Sequence, residues 1–152
     1  GICNTKDSPL SAYVNYPIEV VVGPEAITGS TRMKSGTAQK LVLNMLSTCS
    51  MIKLGKVYNN LMVDVQPTNQ KLIERAKHII MSCGQCTYRE AADYLGKSDS
   101  NVKVAICMAL TGLGPKDCET ILSRNRGNIS KAIHSLAENG LSPKVRGEKP
   151  KV

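Results

Sequence analysis

Seven apolar residues, Ala38, Leu41, Val42, Met45, Leu46, Cys49 and Ile52, recur at the spacing of one face of an α-helix. That register predicts a helix from about Met33 to Leu54, ending at Gly55. Just upstream, "YPIEVVVGPE" sets a β-branched run against Gly23-Pro24, which predicts a buried strand over about residues 18–22. "GIC" at the start reads like the end of another buried strand, running at once into the polar turn "NTKDSP". Strand, short polar turn and long helix is the repeating unit of layered α/β sheets. With no Phe, no Trp and five Tyr, the core must be built from Leu, Ile, Val, Met and Ala, which suits helix packing better than a β-sandwich.

Downstream, "KVYNNLMVDVQPTN" reads as an irregular connection. After Thr68 or Asn69 as a cap, Leu72, Ile73, Ala76, Ile79, Ile80 and Cys83 mark a second amphipathic helix. Composition changes after Gly84, and the chain then repeats weakly: Leu95, Asn101, Val102, Ala105 and Ile106 recur as Leu122, Asn128, Ile129, Ala132 and Ile133. In each copy a short helix leads through a polar loop to an Asn cap and a second helix, so residues 85–140 read as two helical hairpins. "GNISKAI" resembles the turn that opens the last helix of ubiquitin-associated three-helix modules, and here it reads as a packing element rather than a ubiquitin binder. The last residues, 141–152, form a basic, Pro/Gly-broken tail expected to be disordered.

A net charge of +8 invites a nucleic-acid reading, but the cations are spread along the chain with no stacking aromatics between them. Neither a nucleic-acid nor a membrane partner is expected. The most apolar stretch is interrupted by Asn44, Ser50 and Lys53, and no secretory signal is present, so a cytoplasmic protein is expected. The six cysteines fall mostly at apolar helix positions, as reduced core thiols do. Cys83 and Cys86 form a C-x-x-C without a second ligand pair; packing at a helix end fits it better than zinc or redox chemistry. His78 and His134 read as solvated, and Gln39 and Lys40 as supporting or dimer-contact residues.

The stretch "EAITGSTRMKSGTAQK", residues 25–40, lies where an open α/β sheet places its ligand, between a strand end and a helix N-terminus. Thr28, Ser30 and Thr31 offer hydroxyls, and Gly29 allows close backbone approach. Arg32 adds a fork for a phosphate and Lys34 a point charge. It is not a Walker loop, since Gly29 is followed by Ser30 rather than Lys. Two readings fit these residues: a cradle for a phosphorylated ligand, or a plain helix cap with Arg32 and Lys34 in water.

"GPEAITGSTRMKSGTAQKLVLNMLST" at 23–48 and "MIKLGKVYNNLMVDVQPTNQKLIERA" at 51–76 resemble the signature of the family that holds bacterial N-acetylmuramic acid 6-phosphate etherases and the vertebrate glucokinase regulatory protein. The resemblance implies an α/β fold: the C-terminal fragment of a sugar isomerase (SIS) type three-layer α/β/α domain over 1–84, then a small all-α, ubiquitin-associated-like region over 85–140, mostly helical in total. It implies a phosphorylated amino sugar as ligand, a homodimer, and no metal or redox cofactor. By this resemblance Glu25, Thr28, Gly29, Ser30, Thr31, Arg32 and Lys34 contribute to the phosphosugar site. Glu25 sits in a pattern similar to turns whose carboxylate serves as base, while its alternative role is to accept bonds from the helix amides or to pair with Arg32.

The family's other phosphate loops and its two proton-transferring glutamates belong to an N-terminal half with no counterpart here. The expectation is therefore a C-terminal piece of an etherase without activity of its own. Alternatives are a non-catalytic phosphosugar-sensing regulator, or a helical protein-interaction module.

Overall fold

The computed structural model describes residues 1–138; the basic tail at 141–152 lies outside the described residues. Within that span the chain is mostly helical and divides into two compact units, residues 1–50 and a second beginning at Met51.

In the first unit, strand β1 (Ile2–Cys3) pairs in parallel with β2 (Ile18–Glu19), joined through a 3₁₀ turn at Pro9–Tyr13. The predicted buried strand over 18–22 is corrected to two half-buried residues. Among the described residues β1 is its one neighbour, and Val21 beyond the ladder is exposed. Glu19 turns its carboxylate to the upstream loop, accepting from the Asp7 and Ser8 amides at 3.0 Å each and from the Ser11 hydroxyl.

Helix α1 (Lys34–Lys53) matches the predicted span to within a residue at each end. Its predicted apolar stripe is not a core. Val42 is the one buried hydrophobic side chain among residues 1–50, while Leu41, Met45, Leu46 and Cys49 stand exposed.

The second unit carries the described core. Gly55, at φ +70°, leads into a hairpin of β3 (Val57–Tyr58) and β4 (Leu61–Met62), where an irregular connection was expected. The turn is Asn59-Asn60, with Asn59 left-handed at φ 53°, a conformation Asn tolerates. Val63 and Val65 then point inward. Gly55 is required on a second count, since a Cβ there would lie 2.9 Å from Asn128 Cα.

Three helix starts, at Asn69, Asn101 and Asn128, follow the predicted cap chemistry, and two others use devices the sequence reading did not name. The Asn69 side chain accepts from the Leu72 amide ahead of α2 (Gln70–Gly84), and Thr87 with Glu90 closes a capping box on α3 (Tyr88–Lys97). Asn101 caps α4 (Val102–Thr111) through the Val104 amide. α5 (Pro115–Arg124) opens on Pro115, and Asn128 caps α6 (Ile129–Glu138) through the Lys131 amide. The two helical hairpins expected from the repeat are thus α3–α4 and α5–α6.

α4 is buried almost all round, at Val102, Val104 through Met108, and Leu110, with α2, α3, α5 and α6 against it. Because α2 packs on α3 and α4, the compact unit extends upstream of Gly84, where composition alone changes. Cys83 is buried in the last turn of α2, and desolvation pushes its thiol up to about 11. At Gly84 the two helices α2 and α4 lie close together: an added Cβ would lie 2.5 Å from Ala109 Cβ. Gly84→Ala is expected to destabilise this unit by about 1–3 kcal/mol in denaturant titration. Adding Ala109→Gly should recover much of the loss, and additive costs of the two changes would contradict the contact.

Candidate functional site

The loop between β2 and α1 turns twice on left-handed glycines, Gly23 at φ 72° and Gly29 at φ 86°. At Gly29 a Cβ would meet nothing within 4 Å, so the glycine serves backbone conformation, not crowding. Ser30 N–H closes the turn onto the Ile27 carbonyl at 3.1 Å. This presents Ile27, Thr28, Thr31 and Arg32 to solvent, with Glu25 and Ser30 half-buried beneath.

The first-turn amides of α1 are already occupied. Glu25 accepts from Lys34 N–H and Ser35 N–H, both at 3.0 Å, and Gly36 N–H donates to the Thr31 carbonyl at 3.1 Å. Lys34 folds its ammonium back onto the Pro24 carbonyl at 2.9 Å. The Ser35 and Lys34 amides hold the Glu25 carboxyl below its usual range, since they favour the charged form. This is the helix-capping role foreseen as one reading of Glu25.

Arg32 is exposed and forms no ion pair among the described residues. With the hydroxyls of Thr28, Ser30 and Thr31 nearby in sequence, its guanidinium is the donor left for an external anion. Such an anion has two routes, binding at the side chains above an intact cap, or replacing Glu25 on the Lys34 and Ser35 amides. The second route would release a carboxylate beside the ligand.

The histidines lie elsewhere. His134 is exposed, 3.4 Å from Glu138, and His78 is on the exposed side of α2. Gln39 and Lys40 are exposed on α1. Among the described residues no group of acidic, cysteine and histidine side chains could hold a metal ion, and no described helix is long and apolar enough to cross a membrane.

Sequence reasoning did not identify a polar cluster in the second unit. Asp64 is bridged by Lys56 at 2.6 Å and Lys103 at 3.2 Å, beside a cleft of about 410 Å³ lined by residues 63–68 and 99–103. Its residues lie far apart in the chain, and no motif links them.

No family model matches the chain. Curated relatives do. It is 56% identical over 136 residues to the N-acetylmuramic acid 6-phosphate etherase of Clostridium botulinum, which covers 90% of this chain and 45% of the relative. The N-acetylmuramic acid 6-phosphate etherase of Shouchella clausii is 54% identical over 131 residues, 86% of this chain and 44% of its own. The N-acetylmuramic acid 6-phosphate etherase 2 of Enterococcus faecalis is 62% identical over 109 residues, 72% of this chain and 36% of its own. The chain is homologous to the C-terminal half of these etherases. It spans about half the length of the curated relatives it matches.

The Glu25 cap gives a measurable pH signature. A carboxyl held low in the folded chain stabilises the loop above the ordinary glutamate range, and this contribution is lost as pH falls through the lowered value. In hydrogen exchange, Glu25→Gln at neutral pH should expose the Lys34 and Ser35 amides as acidification does for the parent. Unchanged protection of both amides would show that the carboxylate does not hold them.

Proposed function

We propose that this chain forms the C-terminal part of a phosphosugar lyase that cleaves the D-lactyl ether of N-acetylmuramic acid 6-phosphate. The products are N-acetylglucosamine 6-phosphate and D-lactate. In this reading the reaction is an elimination: a base takes the proton beside the open-chain aldehyde, an acid protonates the departing lactate oxygen, and water adds to the unsaturated aldehyde. The observation that carries the reading is sequence identity of more than half with etherases over nine-tenths of the chain, the segment 25–34 included.

The proposed contribution of residues 1–84 is one wall of a phosphosugar site in a SIS-type domain, with residues 85–140 as a ubiquitin-associated-like helical appendage. Arg32 grips the phosphate, assisted by the hydroxyls of Thr28, Ser30 and Thr31, with Gly29 allowing close approach and Lys34 adding charge. Glu25 holds the α1 amides, and in this reading would turn to the substrate if it lets them go. A cytoplasmic homodimer is the proposed working form.

The whole protein that carries this sequence as its C-terminal half should release D-lactate from N-acetylmuramic acid 6-phosphate. Phosphosugar binding without lactate release would overturn the lyase reading and leave a sensor. In that protein Arg32→Ala should weaken phosphosugar affinity on the order of 10- to 100-fold, the loss of a charge-assisted contact of roughly 1.5–3 kcal/mol. An unchanged affinity in calorimetry would place Arg32 outside the site.

A further inference from the structure

The two helical hairpins share one turn and differ where a cleft opens. Between α3 and α4, Asp99 and Ser100 are both left-handed, at φ 50° and 63°; the corresponding pair between α5 and α6, Arg126 and Gly127, stands at φ 54° and 70°. Each turn closes in the same way ahead of its Asn cap. Ser100 N–H donates to the Leu95 carbonyl at 3.0 Å, and Gly127 N–H to the Leu122 carbonyl at 2.7 Å. Glycine at the second left-handed position is therefore enough for the turn, and it adopts that backbone without strain. The first hairpin keeps Ser100 there at a conformational cost, and such outliers gather where a side chain has a use other than folding.

Asp99, Ser100 and Lys103 line the cleft of about 410 Å³ beside Asp64, together with Gln66 and Thr68. In the second hairpin the same three positions are Arg126, Gly127 and Ser130, so none keeps its chemistry, while the cap Asn101 recurs as Asn128 and the buried Val102 as Ile129. The volume falls among small-molecule clefts, which span roughly 300–1,000 Å³. Its charges balance. Asp64 is shared by Lys56 and Lys103, and Asp99 forms no ion pair among the described residues. An entering anion would meet two carboxylates, and an entering cation two ammonium groups. The Gln66 amide and the Thr68 and Ser100 hydroxyls make no side-chain hydrogen bond among the described residues, so donors and acceptors are available together. That set matches hydroxyl groups, each of which both donates and accepts.

We propose that this cleft binds a small uncharged polyol, of the size of one sugar ring and carrying no phosphate, with Asp99 and Ser100 as its hydrogen-bonding anchors. The inference stands on the second unit alone, apart from the loop around Arg32 and from the lyase reading.

Methyl α-D-glucoside and myo-inositol are the probes, with inorganic phosphate as the charged comparison, each titrated into the isotope-labelled full chain and followed by amide chemical shifts. At least one polyol should move the Thr68, Ser100 and Asn101 amides saturably, with a Kd on the order of 1–10 mM, and phosphate should not. Ser100→Gly should weaken that binding about tenfold, a loss of one hydrogen-bonding anchor, without lowering the denaturation midpoint. Asp99→Asn, which keeps a residue that tolerates the left-handed region, should weaken it on the order of tenfold as well. Failure of both polyols to saturate these amides by about 100 mM would overturn the proposal. So would phosphate saturating the same amides, unchanged affinity in both variants, or a midpoint that falls in Ser100→Gly and so assigns the serine to the fold.

Discussion

The second unit depends on the burial of α4. Its sequence "VKVAICMALT" leaves little polar surface, so the helix is stable only where neighbours cover it on nearly every side. Each neighbour meets that demand by a local device. Gly84 lets α2 come close, the Asn and Thr caps fix where α3, α4 and α6 begin, and Gly55 lets the chain pass against Asn128. A buried Leu or Ile contributes roughly 1.5–3 kcal/mol when taken from water, and the core here contains Ile79, Ile80, Leu95, Ile106, Leu110, Leu122 and Ile129. That burial, rather than surface ion pairs such as Lys97–Asp93, holds the unit together.

Residues 1–50 are organised differently. With Val42 their one buried hydrophobic side chain, two carboxylates do much of the tying. Glu19 gathers the Asp7 and Ser8 amides and the Ser11 hydroxyl, and Glu25 gathers the start of α1. Both carboxyls are held low by the groups they bind, so both ties weaken in acid. This segment is ordered by carboxylate-to-amide bonds, some exposed and some half-buried, rather than by a core, and the loop around Arg32 belongs to it.

The sequence made some of this legible and hid the rest for identifiable reasons. Helix spans were readable because period and caps agree: Asn69, Asn101 and Asn128 each stand one residue before a run of helical spacing. The β3–β4 hairpin was missed, although Asn59-Asn60 and the alternating Val63 and Val65 gave the signal, because each strand is two residues long. The stripe of α1 was read as one apolar face, but Leu43 and Met51 make the helix apolar off that face too, and periodicity cannot say whether a face is covered. Around Arg32 the residue types were readable, whereas occupation of the amides by Glu25 depends on a loop closing over ten residues, which no local pattern encodes. The Asp64 cluster was invisible for a similar reason, since Lys103 lies on α4, far along the chain from Lys56 and Asp64 beside the β3–β4 hairpin.

One segment of the chain is held by core burial and the other by polar ties, and native-state hydrogen exchange on the isolated chain tests that contrast most directly. Amides of α4 should exchange only through global unfolding of their unit, with a denaturant dependence to match. Amides in residues 37–49 of α1 should exchange much faster, through local opening with little denaturant dependence. Protection of α1 equal to that of α4 in the isolated chain would contradict the account.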